Sequence, residues 1–358
     1  MLLSRRQVLT ATGVAGAALL VSGGNAAAEP DRPGWLGWFA ANRDHVAVVI
    51  DDGRGGRVAH RPHQEQVLAS AIKVTHVAGY ALAVEQGRCL PGDQVRVGDW
   101  EAYHLGLDGG AHQKSLQDLG IPFGNGYTAD DPDHLVTLDD LARAAVLRSD
   151  NAAADFLRDH VGDAVMRAAA VRCGWPRADF RSILGEMLLL ILPERAPADG
   201  SPAALRKRTG DQLAVQARTD SRQQLEIIGR FPHAPSTYQG QLPWARQTWR
   251  GSAAGLTRAH RSIAEGRFPV ARTHLERAYA GALPKGAKGV GFKGGSLPGA
   301  LTTAFSVRWD DGRIGTAVIL TEEVDEPRFG TAGELADLAL DALVNPATLR
   351  DIERSLVV

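Results

Sequence analysis

Extended segments open and close the folded part of this chain, with everything helical between them, and that order restricts the topologies open to it. His45–Ile50 (His-Val-Ala-Val-Val-Ile) is a β-branched run, Asp51-Asp52-Gly53-Arg54-Gly55-Gly56 has turn composition, and Arg57–Arg61 resumes, which predicts a hairpin ended by Pro62. Near the other end Val290–Ser296 reads as a short strand. Ala300–Trp309 and Arg313–Thr321 flank Asp310-Asp311-Gly312 as a second hairpin, and a last helix, Thr331–Val344, follows. The pattern predicts an α+β fold, a five-stranded antiparallel sheet flanked by helices with an all-helical lobe inserted. The sheet lobe takes about residues 35–68 and 287–358, and the helical lobe about 69–286.

Residues 1–28 read as a targeting segment. Ser4-Arg5-Arg6-Gln7-Val8-Leu9 precedes an Ala- and Gly-rich apolar run to about Val21, and Ala26-Ala27-Ala28 offers a small-residue cleavage site before Glu29. Paired arginines ahead of a run too short for a membrane span look like a twin-arginine export signal, the rival reading being an uncleaved N-terminal anchor. The expected mature chain, residues 29–358, is therefore secreted and extracytoplasmic, with no membrane span left after cleavage. The formal net charge is −1 and there is no basic run, so nothing points to a nucleic-acid partner. Cys89 and Cys173 are too few for a disulfide framework or a metal cluster, and either a paired or a reduced state fits them.

The apolar spacing from Val67 through Val84 predicts one helix, stopped by Gly87 and Pro91, with Ser70-Ala71-Ile72-Lys73 near its start. Residues three apart share a helix face, so the Lys73 amine comes within reach of the Ser70 hydroxyl. A serine is a weak nucleophile until a neighbour takes its proton, and a lysine partly desolvated beside another cation can do so. The four-residue pattern alone is weak evidence.

Residues 89–136 look irregular and rich in Gly, Asp and aromatics, with Trp100, Tyr103, His104 and Asp108-Gly109-Gly110-Ala111-His112. A loop of that length is usually functional or disordered, and its two histidines lack the spacing of a metal site, so no metal is expected. Thr137, with Asp140 three residues on, reads as the N-cap of a helix whose stripe is Leu138, Leu141, Ala145 and Val146. Where it meets a second helix, Ala152–His160, stands Ser149-Asp150-Asn151, either a polar triplet aimed into a cleft or an ordinary N-cap. Glu186 lies inside the apolar run Leu184–Leu192. It is paired with a cation, poised for proton transfer, or a first-turn acid with its head in water. Farther on, Thr248–Glu265 and Val270–Gly281 read as amphipathic helices, and Trp244 and Trp249 as core.

Ser70-x-x-Lys73, Ser149-Asp150-Asn151 and Lys293-Gly294-Gly295, in that order on a helix start, a helix joint and a late strand, resemble the serine β-lactamase and penicillin-binding-protein superfamily, closest to its class A branch. Two of the six lysines fall on these motifs, and the resemblance spans nearly the whole mature chain. It implies Ser70 as the acylated nucleophile, Lys73 as its activator, and Ser149 as the relay of a proton to the leaving nitrogen. Asn151 would hold Lys73 and a substrate amide, Lys293 would attract a substrate carboxylate, and the N–H groups of Ser70 and of Ser296, next to Gly295, would form an oxyanion hole. Glu186 falls where class A members carry the glutamate that activates the deacylating water. No cofactor is implied, and the expected protein is a monomer acting on a β-lactam or a peptidoglycan-like amide.

Three departures bear on that implication. The third motif lacks a hydroxyl residue after Lys293, unless Ser296 substitutes. Leu190 stands four residues after Glu186, where class A enzymes have an asparagine that helps place the water. The stretches Ser70–Ser149 and Glu186–Lys293 are also longer than usual. Beside β-lactam hydrolysis, these leave open a D-Ala-D-Ala carboxypeptidase or an esterase or amidase, and a non-catalytic cell-wall-binding protein of the same fold.

Overall fold

The computed structural model of the protein describes residues 34–198 and 200–357, so the export signal expected over residues 1–28 lies outside the described residues. Ten strands follow one another in them: β1 (Val46–Asp51), β2 (Arg57–His60), β3 (Glu65–Val67), β4 (Gln94–Arg96), β5 (Leu135–Thr137), β6 (Arg250–Ser252), β7 (Ala287–Phe292), β8 (Gly295–Leu297), β9 (Ala300–Trp309) and β10 (Ile314–Glu322). The chain divides into two units. A sheet unit takes the described residues up to Arg88, Val161–Phe180 and those from Ala245 onward, and a helical unit takes Cys89–His160 and Arg181–Trp244.

In the sheet unit the order is β2-β1-β10-β9-β7, antiparallel throughout, with β8 also on β9. Because β7 and β8 pair with successive parts of β9, the six strands fill the five expected positions. The single strand expected over Val290–Ser296 is thus two: Lys293 N–H still donates to Ala304 O at 3.1 Å, after which the chain leaves the ladder and re-enters at Gly295. β9 and β10 are buried along nearly their whole length, as their near-continuous apolar sequences require. The helices Ala253–Ala264 and Ala332–Val344 pack on β1, β9 and β10.

The turn of the first hairpin is closed by Asp52, whose Oδ1 accepts the N–H groups of Arg54 (2.6 Å) and Gly56 (3.0 Å). Gly53 is left-handed, with φ +72, and a Cβ there would sit 2.7 Å from the Ile314 carbonyl oxygen. Trp309, fully buried, donates its indole N–H to Asp52 O at 2.8 Å while the Arg54 guanidinium lies over the ring. One tryptophan therefore fastens the first turn to the end of β9.

Three expected helix boundaries move. The helix expected over Val67–Val84 is β3, then a 3₁₀ turn, Ala69–Ile72, and then a helix, Lys73–Glu85. Every residue from Gln66 to Ala83 except Ser70 is buried, so apolar periodicity had no phase to mark the start. Pairing of β3 with β6 claims Val67, and the same ribbon shortens Thr248–Glu265 to a helix beginning at Ala253, capped by the Ser252 hydroxyl. Val270–Gly281 becomes a helix, Pro269–Glu276, with a 3₁₀ turn, Arg277–Tyr279.

Two further helices, Trp35–Ala41 and Pro346–Leu356, pack against each other and escape the sequence reading. Pro346 opens the second, and the Asn345 side chain caps it through Ala347 N–H. The expected helical lobe, 69–286, also contracts. The helix Lys73–Glu85 packs on the helix Pro269–Glu276, and Ala253–Ala264 lies on the sheet, so all three belong to the sheet unit.

In the helical unit, residues 89–136 are ordered. β4 and β5 form an antiparallel ribbon, and short helices cover Val97–Glu101 and Ala111–Asp118. Side chains hold the backbone between them: Asn125 Oδ1 accepts from Tyr127 and Thr128 N–H, both at 2.8 Å, and Asp130 Oδ1 from Gly124 N–H at 2.9 Å. Such folding leaves no apolar period to read. Thr137 and Asp140 form the expected capping box. The helix Asn151–Arg172 is kinked at Gly162, where the chain leaves this unit. Cys89 and Cys173 are free and buried, and burial pushes the Cys173 thiol up to about 12. Among the described residues no helix is long and apolar enough to cross a membrane.

Trp309→Ala removes both the ring and its bond to Asp52, and is expected to destabilise the protein by about 3–5 kcal/mol in urea unfolding. A loss below about 1 kcal/mol would mean that this tie between turn and sheet is dispensable.

Candidate active site

Ser70 sits in the middle of a strained turn. Ala69 before it has φ +47, a left-handed conformation that costs a non-glycine residue about 1–2 kcal/mol. The neighbours hold it there: Leu68 N–H donates to Trp249 O at 2.9 Å, Val67 N–H to Glu322 Oε1 at 2.8 Å, and Thr302 Oγ1 to Val67 O at 3.1 Å. The first bond of the 3₁₀ turn runs from Ala71 N–H to Leu68 O, so the Ser70 N–H lies ahead of it and is not used by it. Ser70 is partly exposed, whereas Lys73, at the first position of the following helix, is fully buried. Lys73 Nζ donates to Ser70 Oγ at 3.2 Å. A neutral amine at that distance can take the hydroxyl proton as the oxygen attacks.

The broken edge of the sheet runs against this turn. A Cβ on Gly295 would lie 2.5 Å from Leu68 O, 2.6 Å from Ser70 N and 2.7 Å from Ala71 N, so only glycine allows β8 to come so near the nucleophile. Ser296, next on β8, is exposed. Lys293, at the break before β8, is buried, with its Nζ donating to Gly294 O at 2.9 Å. Burial first, and then the charge on Lys73, hold Lys293 well below the ordinary lysine range. The sheet unit therefore resists carrying both ammonium charges at once. His260, fully buried on the helix Ala253–Ala264, is pushed down to about 3 by burial and then by the Lys293 charge. A neutral imidazole there adds no further cation.

The second motif lies in the helical unit. The helix Leu138–Arg143 continues as a π-helical turn, Ala144–Arg148, and the chain reverses at Ser149, with φ +61 and ψ 32. Asp150 is completely buried and binds on three sides. Its N–H donates to Ala144 O at 3.1 Å, its Oδ1 accepts Ala153 N–H at 2.9 Å, and its Oδ2 lies 3.0 Å from His112 Nδ1. Asp150 caps the helix Asn151–Arg172, as the N-cap reading has it, and Ser149 and Asn151, on either side of it, are partly exposed. Asn151 Nδ2 lies 3.7 Å from Met187 Sδ.

Glu186, also in the helical unit, sits in the first turn of the helix Ile183–Ile191 and is 1 % exposed. Arg181 Nη1 donates to its Oε1 at 2.8 Å, Arg206 Nη2 to its Oε2 at 2.7 Å, and Arg206 Nε reaches both oxygens, at 3.1 and 2.9 Å. Of the three readings open to it, the structure gives pairing with cations. Two guanidiniums thus hold both carboxylate oxygens, which departs from the water-activating role that the resemblance implies. The N-terminus of the same helix is held by Asp155, which accepts from Ser182 Oγ (2.7 Å), Ile183 N–H (2.8 Å) and Leu184 N–H (2.7 Å). Trp244, expected in the core, is half-buried and donates its indole N–H to Glu186 O at 2.8 Å.

The sequence model of the beta-lactamase enzyme family matches residues 37–224, more than half of the chain. The chain belongs to that family. No curated protein matches the sequence. Among solved structures, a β-lactamase from Sphaerobacter thermophilus DSM 20745 aligns with a TM-score of 0.53 at 17% identity, over 86% of this chain and 97% of that one. The class A β-lactamase of the last common ancestor of Gram-negative bacteria, GNCA4, aligns with a TM-score of 0.52 at 17% identity, over 87% and 98%. At such identity the likeness is one of fold, and it is the β-lactamase fold expected from the sequence.

Within this β-lactamase-like serine hydrolase, Ser70, Lys73, Lys293, Gly295 and Ser296 lie in the sheet unit, and Ser149, Asn151 and Glu186 in the helical unit. Sequence reasoning missed Arg181, Arg206, Asp155 and the partnership of His112 with Asp150. The demand of a buried Glu186 for a cation was readable, and Arg181, five residues before it, was the nearest candidate.

Gly295→Ala is expected to lower the rate of Ser70 acylation by about 10²–10³-fold, because the added methyl displaces the backbone beside the Ser70 N–H. Intact-mass kinetics with a penicillin would measure it. A wild-type rate would show that β8 can retreat without harm.

Proposed function

We propose that the protein is an exported, monomeric serine hydrolase whose Ser70 is acylated by β-lactams or related amides. The observation that carries this reading is the Lys73 Nζ to Ser70 Oγ contact at 3.2 Å, in a turn against which β8 brings its backbone. Ser70 Oγ attacks the amide carbonyl carbon as its proton passes to Lys73. The C–N bond then breaks, and the departing nitrogen takes the proton back from Lys73, leaving an ester on Ser70. Attack by water on that ester releases the acid and restores the hydroxyl. The N–H groups of Ser70 and Ser296 would stabilise the oxyanion, and an arriving substrate carboxylate would favour a charged Lys293. Arg5-Arg6 and the apolar run behind them support export.

The Arg181–Glu186–Arg206 clamp favours a second reading of the same site. With both oxygens held by guanidiniums and Leu190 four residues on, Glu186 is an anchor for its helix in this reading, and the Ser70 ester would clear slowly. A D-Ala-D-Ala carboxypeptidase, or an esterase or amidase with another acyl group, fits that chemistry better than a fast β-lactamase.

Intact mass before and after incubation with a penicillin is expected to show one added acyl group in the wild type and none in Ser70→Ala. Equal labelling of the two proteins would end this reading. Glu186→Gln leaves two buried guanidiniums without their countercharge, and is expected to cost about 3–5 kcal/mol of stability while adduct lifetime stays as in the wild type. A rapidly cleared wild-type adduct that instead persists in Glu186→Gln would restore Glu186 as the deacylation base.

A further inference from the structure

The third motif departs at Gly294 from the pattern it resembles, and an aromatic ring accounts for the departure. A Cβ on Gly294 would lie 3.0 Å from Phe292 Cζ, 3.6 Å from its Cε2 and 3.3 Å from Thr302 O. Carbon atoms settle about 3.5–4.0 Å apart, so a side chain there must displace the ring or the strand. Neither yields freely. Phe292 pairs with Phe305 across β7 and β9, their ring centroids are 4.6 Å apart, and Phe305 is completely buried. Tyr279 completes the cluster in edge-to-face contact, its centroid 5.8 Å from Phe292 and 5.5 Å from Phe305. Phe292 and Gly294 nevertheless stay partly exposed, and all of these residues belong to the sheet unit, with Ser70.

We propose that Phe292 is a specificity-determining residue: its ring takes the space of the side chain absent at 294, so a substrate carboxylate at Lys293 meets one cation and an apolar ring edge, and no hydroxyl beside them. Gly294 stands between the groups concerned. Its carbonyl accepts from Lys293 Nζ at 2.9 Å and its α-carbon faces the Phe292 ring. The next residue, Gly295, is so near the nucleophile turn that a Cβ on it would lie 2.6 Å from Ser70 N. An acyl donor that reaches from Ser70 to Lys293 therefore runs along the Gly294–Gly295 backbone, beside the ring. This inference rests on the role given to Lys293 under Proposed function.

The ring changes which acyl donors fit. A hydroxyl donating to a carboxylate tightens binding by about 10–100-fold, and this chain forgoes it at 294. Apolar surface favours instead a substrate whose carboxylate adjoins a hydrocarbon group that the ring edge can cover. A penicillin has that form, its carboxylate standing next to a dimethyl-substituted carbon. Ser296, two residues on and exposed, is unchanged in every variant below, so its hydroxyl is common to all of them.

The test compares acylation of the full protein by a penicillin and by its methyl ester, using rapid-quench intact mass to separate the half-saturating concentration from the maximal rate, per labelled site. Gly294→Ser alone is expected to raise the half-saturating concentration for the penicillin by about threefold or more, because the ring stays in place. In a Phe292→Ala background, where the space is vacated, the same substitution is expected to lower it by about 10-fold. The ester, which offers no anion, should change by less than about threefold at that step. Phe292→Leu, which keeps more of the packing on Phe305 and Tyr279, provides a second background with the same direction of change. A ring that serves stability only would lower the labelled fraction and shift penicillin and ester alike. That outcome, or a Gly294→Ser gain as large with Phe292 present as without it, overturns the inference while leaving Ser70 acylation standing. A wild type that takes no acyl group overturns both.

Discussion

A single left-handed residue, Ala69, governs the arrangement of the sheet unit. Turning the chain there separates β3 from the helix Lys73–Glu85 and leaves Ser70 partly exposed between two buried stretches. That turn is unfavourable for an alanine, so it persists only because its surroundings over-determine it. The β3–β6 ribbon, the Glu322 carboxylate, Thr302 on β9 and the backbone of β8 all bear on residues 67–71. The Lys73 amine can then reach the Ser70 hydroxyl from one turn away.

The helical unit meets a different problem, the burial of carboxylates. Asp150, Asp155 and Glu186 are all at most 1 % exposed, and each is satisfied by another device. Asp155 accepts backbone N–H groups at a helix start and a serine hydroxyl. Its pKa is nonetheless raised, because burial outweighs those bonds and the nearby Arg158 charge. Glu186 is held by two guanidiniums. Asp150 lies against one nitrogen of the His112 imidazole, whose other nitrogen is 3.3 Å from Glu101 Oε1. A buried charge with a missing partner is far more costly than the intact pair is stabilising, so these clusters define the positions of their helices more than they add to stability.

The parts of this structure legible in the sequence are those specified by short-range pattern. β1, β9 and β10 alternate or run apolar between turns rich in Asp and Gly, and the serine–lysine spacing needs only one helical turn. Where burial is almost unbroken the pattern falls silent, as along Gln66–Ala83 with Ser70 alone excepted, and the helix start was misplaced for that reason. Residues 89–136 were opaque because Asp and Asn side chains, and no apolar stripe, hold their backbone. His112 could be seen but not understood, since its partner lies 38 residues away. At Ser149-Asp150-Asn151 the middle residue is the cap that its type suggests, and Ser149 and Asn151 stay partly exposed beside it.

The pairing of β1 with β10 has a consequence for how the chain comes to be folded at all. Val46 lies opposite Thr321, so the central ladder of the sheet closes across most of the polypeptide. Until β9 and β10 have left the ribosome, β1 and β2 have each other alone, and a lone hairpin is marginal in water. Contacts so distant in sequence slow the search for the native pairing, and they leave the β-branched run Val46–Ile50 uncovered while it lasts. The helical unit, whose segments all precede Ala245, is synthesised in full before the sheet can close. Loss of the last two strands would thus remove the β1 neighbour that makes the first hairpin part of a sheet.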